Sequence, residues 1–147
     1  MKIQRMLALA GLGGTLLLSG CAIHQNVRAV EGLSERQICV IENPAVRAGF
    51  LNAYRQALGS KGYTVRQLPA GAATTDCPVT STYTANWRWD MALYMAYAEI
   101  NVYRAGQKVG EAKYDAMSGG ANLNKFIAGD KKIQELVHQL FPGGAGT

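Results

Sequence analysis

Three cysteines, two histidines and ten carboxylates give this 147-residue chain its capacity to bind a metal, attack a carbon or move a proton. Their spacing organises little of that chemistry. His24 and His138 stand near opposite ends, with no His-Glu-x-x-His zinc helix, no Gly-x-Ser-x-Gly turn and no phosphate-cradling glycine loop. His138 falls on the polar side of a helical pattern beside apolar Val137 and Phe141, which is the position of a solvated residue. Cys39 and Cys77 are the two thiols of one small domain, and in an oxidising compartment such a pair joins. Closing a loop of about 40 residues stabilises a fold by roughly 3–4 kcal/mol on the chain-entropy account. The alternatives are two buried thiols or a redox pair, and the second lacks the Cys-x-x-Cys spacing that lowers a thiol pKa. A disulfide would also leave too few ligands for a metal. Asp90, Glu99, Glu111 and Asp115 lie in strand-forming segments, where two could approach across a hairpin. Glycoside hydrolysis needs carboxylates about 5–9 Å apart, so a small hydrolase built on Asp90 or Glu99 is the enzyme to weigh. Charged residues facing water across a sheet are the commoner outcome. The expectation is no catalytic residue, no metal and no cofactor.

The third cysteine differs in its setting. Lys2 and Arg5 form a short basic region, and Met6 to Leu18 an apolar run of about 13 residues, the length of an export-signal core. That run falls short of the roughly 20 residues a helix needs to cross a bilayer. Leu18-Ser19-Gly20-Cys21-Ala22 follows and resembles the bacterial lipobox. The resemblance implies a diacylglyceryl thioether on Cys21, cleavage before it and acylation of the freed amine. Two or more acyl chains, at about 0.8 kcal/mol per buried methylene, hold a protein to a membrane almost permanently. Ala22 stands where lipoproteins retained in the inner membrane often carry Asp, which points to the outer membrane, with the domain facing the periplasm.

Removing the leader takes Lys2 and Arg5 from the 15 basic residues and leaves a net charge of about +3 against the 10 acids. The basic residues are scattered, without a run interleaved with aromatics, so nucleic-acid binding is unsupported.

The elements that must position these groups follow from periodicity. Residues 1–20 read as a removed signal peptide, 21–36 as a polar lipidated tether, 37–142 as a single domain and 143–147 as a disordered tail. Gln37 to Ile41 is a compact apolar strand, and Asn43-Pro44 a capped helix start. Val46, Phe50, Ala53, Tyr54, Ala57 and Leu58 make one helical stripe, closed by Gly62. Tyr63 to Leu68 alternates as a second strand, which suggests a parallel crossover. Ser81–Trp89, Ala92–Arg104 and Gln107–Ala116 read as an antiparallel meander, turning at Asp90-Met91 and Ala105-Gly106. A last helix uses Phe126, Ile133, Leu136, Val137, Leu140 and Phe141, with Asp130 able to restart it after Gly129. The order β-α-β-β-β-β-α predicts an α+β two-layer sandwich, a mixed and mostly antiparallel sheet with two helices on one face.

The uncovered face would then meet solvent or a partner. Trp87, Arg88, Trp89, Tyr97 and Tyr103 are the candidate partner-binding residues, because rings bury much area with few rotors to freeze. Trp87 and Trp89 also suit simple core packing, since strands favour aromatics. A third use is stacking on the sugars of a cell-wall glycan.

The stretches Ile41-Glu42-Asn43-Pro44-Ala45-Val46-Arg47, Cys77 to Asp90, Tyr94-Met95-Ala96-Tyr97-Ala98-Glu99 and Asn124-Lys125-Phe126-Ile127 resemble the "Sbal" family of bacterial lipoproteins. The likeness spans almost the whole domain. It implies lipidation and a single domain and carries over no catalytic residue, because the family has no assigned biochemical role. The functional expectation is a non-enzymatic, lipid-anchored envelope protein. It would be held to the membrane through Cys21 and would dock a periplasmic or outer-membrane protein. A cell-wall glycan binder contacting peptidoglycan is the alternative, and a small hydrolase the remoter one.

Overall fold

A computed structural model describes residues 22–146. Six strands and two α-helices follow in the order β1 (His24–Arg28), β2 (Gln37–Ile41), α1 (Ala48–Ser60), β3 (Thr64–Leu68), β4 (Val79–Asp90), β5 (Ala92–Arg104), β6 (Gln107–Asp115) and α2 (Gly129–Leu140). A 3-10 turn at Leu123–Phe126 precedes α2. The strands form one sheet in the order β1-β6-β5-β4-β2-β3. Pairing is parallel where β2 lies between β3 and β4 and antiparallel elsewhere. The two-layer α+β sandwich is therefore as the periodicity indicates.

Both helices bury their apolar sides on one face. Phe50, Tyr54, Ala57 and Leu58 from α1 and Ile133, Leu136, Val137 and Leu140 from α2 meet Ile38, Val40, Tyr83, Ala98, Ile100, Val102, Ala112 and Tyr114 of the sheet. Burying each large aliphatic or aromatic side chain contributes about 1.5–3 kcal/mol. The buried Tyr54 hydroxyl is satisfied by Ser81 Oγ at 2.7 Å. Burial drives that phenol's pKa far above its ordinary value despite the Ser81 contact.

Four local expectations need correction. Residues 24–28, read as tether, form an edge strand paired along β6. Only Val27 of that segment packs against the core, so its position rests on the backbone groups that β6 leaves open and on Gln25, which donates to Glu135 and Gln139 of α2 and accepts from Lys132. Asn43 caps a turn rather than α1: its Oδ1 accepts from Ala45 N–H at 3.1 Å and its Nδ2 donates to Tyr83 O at 3.0 Å. The helix starts later, at Ala48. Asp130 lies in the first turn of α2 without capping it, as the N-cap position is Ala128. The segment 143–146, expected to be disordered, turns back onto the domain, with Ala145 N–H donating to Lys61 O at 2.9 Å.

The two predicted hairpin turns are present. Ala105 and Gly106 both take positive φ, 49° and 77°, the signature of a type I′ turn. At the β4–β5 turn a non-glycine, Met91, sits at φ 60°.

Cys39 and Cys77 are joined, with Cα atoms 6.3 Å apart. Cys39 pairs with Thr80 across β2 and β4 and alternates with the core residues Ile38 and Val40. The disulfide therefore lies on the sheet face opposite the helices, in a small cluster with Ile41, Leu68 and Ala72 beneath the segment 69–78. Thr80 Oγ1 donates to Thr74 O at 2.8 Å and fastens that segment down.

Candidate functional site

Antiparallel register decides which side chains share the face away from the helices. Thr84 pairs with Glu99 and Asn86 with Tyr97 across β4 and β5. Tyr97, Glu99 and Asn101 pair in turn with Asp115, Lys113 and Glu111 of β6. Asp115, Lys113 and Glu111 then pair with His24, Asn26 and Arg28 of β1. Past the disulfide cluster, β4, β5, β6 and β1 present one broad polar surface.

Its centre is a linked set of charges. Asn101 Nδ2 donates to Glu99 Oε1 at 2.9 Å, and the Tyr97 hydroxyl donates to Glu99 Oε2. Lys113 Nζ lies 3.1 Å from Glu111 and 3.9 Å from Glu99. Lys108 Nζ donates to Asn101 Oδ1 at 3.1 Å and to Glu111. Desolvation would raise the Glu99 pKa, but the Tyr97 and Asn101 hydrogen bonds and the Lys113 charge outweigh it and hold it below the ordinary value. Hydrogen bonds from Lys108 and Lys113 lower Glu111 likewise. Burial, the hydrogen bond to Glu99 and the nearby carboxylates push Tyr97 up to about 12.

Such a pair is poorly suited to glycoside hydrolysis, which needs one carboxylic acid with a raised pKa to protonate the leaving group. Of the other two carboxylates singled out, Asp115 accepts from Met117 N–H at 2.8 Å, and Asp90 pairs with Lys125. His24 and His138 are exposed, on β1 and α2. Among the described residues no group of three or more His, Cys, Asp or Glu converges as for a metal. An open concavity of about 400 Å³ between α1 and β3 is lined by Asn52, Arg55, Gln56, Gly59, Tyr63 and Val65, none of them a carboxylate, histidine or cysteine.

The five candidate partner-binding residues do not form one platform. Trp87 is half-buried on the helix side, edge-on to Phe50 at 6.5 Å, with the Arg47 guanidinium 5.7 Å from its ring centre. Tyr97 and Tyr103 are half-buried on the polar face, six residues apart along β5 and so roughly 20 Å from each other. Arg88 is exposed, and Trp89, 75% exposed, lies at the β4–β5 tip. A bulge between Asn86 and Trp87 shifts the register there and parts these residues.

The residues that tie the surface together, Asn101, Lys108, Glu111 and Lys113, were not singled out by sequence as partners of one another, nor was Lys125 as the partner of Asp90. Alternation in β6 puts Glu111 and Lys113 on one face, but only the cross-strand register brings them to Glu99. Lys125 is 3% exposed, and its ammonium donates to Asp90 Oδ2 at 2.5 Å and to Gly120 O. The same ammonium lies 5.3 and 5.2 Å from the ring centres of Tyr94 and Phe126.

Cys21 lies outside the described residues. No helix among the described residues is long and apolar enough to cross a membrane.

No protein-family model matches the sequence, and no curated protein sequence does. The fold does have solved counterparts. It is similar to a variant of PelC from Paraburkholderia phytofirmans, a dodecamer, with a TM-score of 0.56 and 13% identity over 86% of this chain and 100% of that one. A second crystal form of the PelC dodecamer gives a TM-score of 0.51 and 12% identity over 86% and 99% of the two chains. At these identities the likeness is one of fold alone.

Proposed function

We propose that this chain is a lipid-anchored, non-enzymatic lipoprotein of the bacterial envelope that docks an envelope protein through the open face of β4, β5, β6 and β1. The observation that carries the reading is the linked set Tyr97, Glu99, Asn101, Lys108, Glu111 and Lys113, fixed on a sheet face that the helices leave uncovered. Charges already held in place lose little freedom on binding and give register and specificity to a protein contact. The lipobox-like stretch ending at Cys21 and the resemblance to the "Sbal" lipoproteins support anchoring, and Ala22 favours the outer membrane. Glycan binding draws less support because Trp87 is packed on Phe50 and the remaining rings are dispersed. Hydrolysis by Asp90 or Glu99 draws less still, since each is engaged by a neighbour.

A second reading is self-assembly. A chain of similar fold forms a dodecamer, and among the described residues β1 and β3 are the two edge strands of the sheet, natural sites of chain-to-chain pairing. The test for both readings places a photocrosslinking amino acid at Thr84 and Tyr97 on the open face, and at Asn26 and Arg66 on the edge strands β1 and β3, in the full chain in its native cells. A discrete adduct with a second envelope protein supports docking, and an adduct between two copies selects self-assembly. Absence of any adduct at Thr84 and Tyr97, at normal abundance, rules out this face as the docking surface.

A further inference from the structure

The exposed large apolar side chains are gathered at one end of the domain, the end where β1 begins at His24, three positions after Cys21. Among the described residues, the exposed large hydrophobics are Trp89, Met91, Leu93, Met117 and Leu123. Trp89 pairs with Leu93 at the β4–β5 tip. Tyr97, further along β5, pairs with Asp115, and Asp115 with His24, so β1 begins at the tip end of the sheet. Met117 follows the end of β6 there. Leu123 belongs to the turn whose Lys125 grips Asp90 at the tip. Gly119, in the same segment, approaches Ile23: a Cβ at Gly119 would lie 3.5 Å from Ile23 Cγ1.

The dimensions are those of a membrane contact. Cys21 lies three positions before His24, a step of at most about 10 Å. From the level of His24, the β4–β5 hairpin continues for six residues, from Tyr97 to Met91, roughly 20 Å. A bilayer reached by a thioether on Cys21 therefore lies within the hairpin's reach. Met91, 88% exposed, holds a left-handed backbone at the tip, where water gives an apolar side chain no compensation. Trp89 is of the type that settles at the interface between headgroups and acyl chains, and Arg88 beside it is exposed for anionic headgroups. Lys125 neutralises Asp90, the acid of the tip, and ties the hairpin to the Leu123 turn, so the apolar residues are presented together.

We propose that Trp89, Met91, Leu93 and Leu123 form a bilayer-facing end that inserts into the interface of the membrane holding the acyl chains of Cys21. This rests on the reading of Cys21 as the anchor. Met117 lines the rim of the same end.

The test uses the full-length lipoprotein purified from its native cells and reconstituted in phosphatidylcholine–phosphatidylglycerol vesicles with brominated acyl chains. Trp89 is one of two tryptophans and is exposed, so Trp89→Phe leaves the fold unstressed. The wild type should float with the vesicles and lose roughly half its tryptophan emission to the brominated chains, the share of a single ring within about 10 Å of the interface. In Trp89→Phe that quenching should vanish while flotation persists. A wild type that floats but is quenched no more than Trp89→Phe overturns the proposal, leaves the anchor intact and frees the apolar end for a protein partner. A wild type that stays at the bottom of the gradient overturns the anchor and this proposal together.

Discussion

Lys125 and Asp90 join two parts of the chain 35 residues apart, the 3-10 turn before α2 and the tip of the β4–β5 hairpin, through a contact of 2.5 Å. The lysine is buried among Tyr94 and Phe126 while its partner is half-open to water. Removing a buried cation's partner costs more than removing an exposed pair, because the charge left behind stays desolvated. Asp90→Ala should therefore destabilise the domain by about 1–3 kcal/mol. Lys125→Ala, which also loses packing on both rings, should cost about 2–4 kcal/mol. Urea unfolding of the two variants measures both, and equal effects near zero would mean that the hairpin tip is not held by this pair.

The disulfide supports the opposite end of the sheet. Cys39 and Cys77 close a loop of 38 residues and carry a small cluster with Ile41 and Leu68 that is separate from the main core. The double variant Cys39→Ala/Cys77→Ala should lose roughly 3–4 kcal/mol. Reduction of the wild type should lower its urea midpoint by a comparable amount.

The two tryptophans should behave oppositely. Trp87→Ala removes a ring packed edge-on to Phe50 and should cost about 2–3 kcal/mol. Trp89→Ala, at an exposed position, should stay within about 0.5 kcal/mol of the wild type. Thermal or urea unfolding separates them directly.

Acid should loosen the polar face before alkali does. Glu99 and Glu111 have folded-state pKa values below their ordinary value of 4.5. Each therefore contributes stability that is complete above that value and is lost as pH falls through the lower folded-state value. The urea midpoint should decline below pH 4.5, and Glu99→Gln should flatten part of that decline, with Glu35, Glu111 and Glu135 also contributing. The Tyr97 hydroxyl, pushed up to about 12, should be among the last phenols to ionise in an ultraviolet titration, and Tyr97→Phe should remove that late component.

The fold was legible where one side chain in two or in four faces the core. The alternation Tyr94, Ala96, Ala98, Ile100, Val102 in β5 and the stripe Phe50, Tyr54, Ala57, Leu58 in α1 are buried as their spacing indicates. β1 was not legible: His24-Gln25-Asn26-Val27-Arg28 offers a single inward apolar residue, and its place is specified by the backbone edge of β6 and by the hydrogen bonds of Gln25 to α2. Trp87 and Trp89 share a parity, yet only the first is covered, because the hairpin runs beyond the helices and is bulged at Asn86/Trp87. Periodicity gives the side of a sheet a residue occupies and not how far the covering layer extends. The Glu99–Lys113–Glu111 set was hidden for a related reason, since it exists only in one register of β5 against β6.

The proposed function requires a lipid anchor at Cys21. The most direct measurement is mass spectrometry of the amino-terminal peptide of the protein purified from its native membranes, beside a Cys21→Ala variant. Lipidation should give a peptide beginning at Cys21, carrying a diacylglyceryl group and an amide-linked acyl chain, with the variant released from the membrane fraction. A peptide beginning elsewhere, or one beginning at Cys21 with a free thiol, would contradict it.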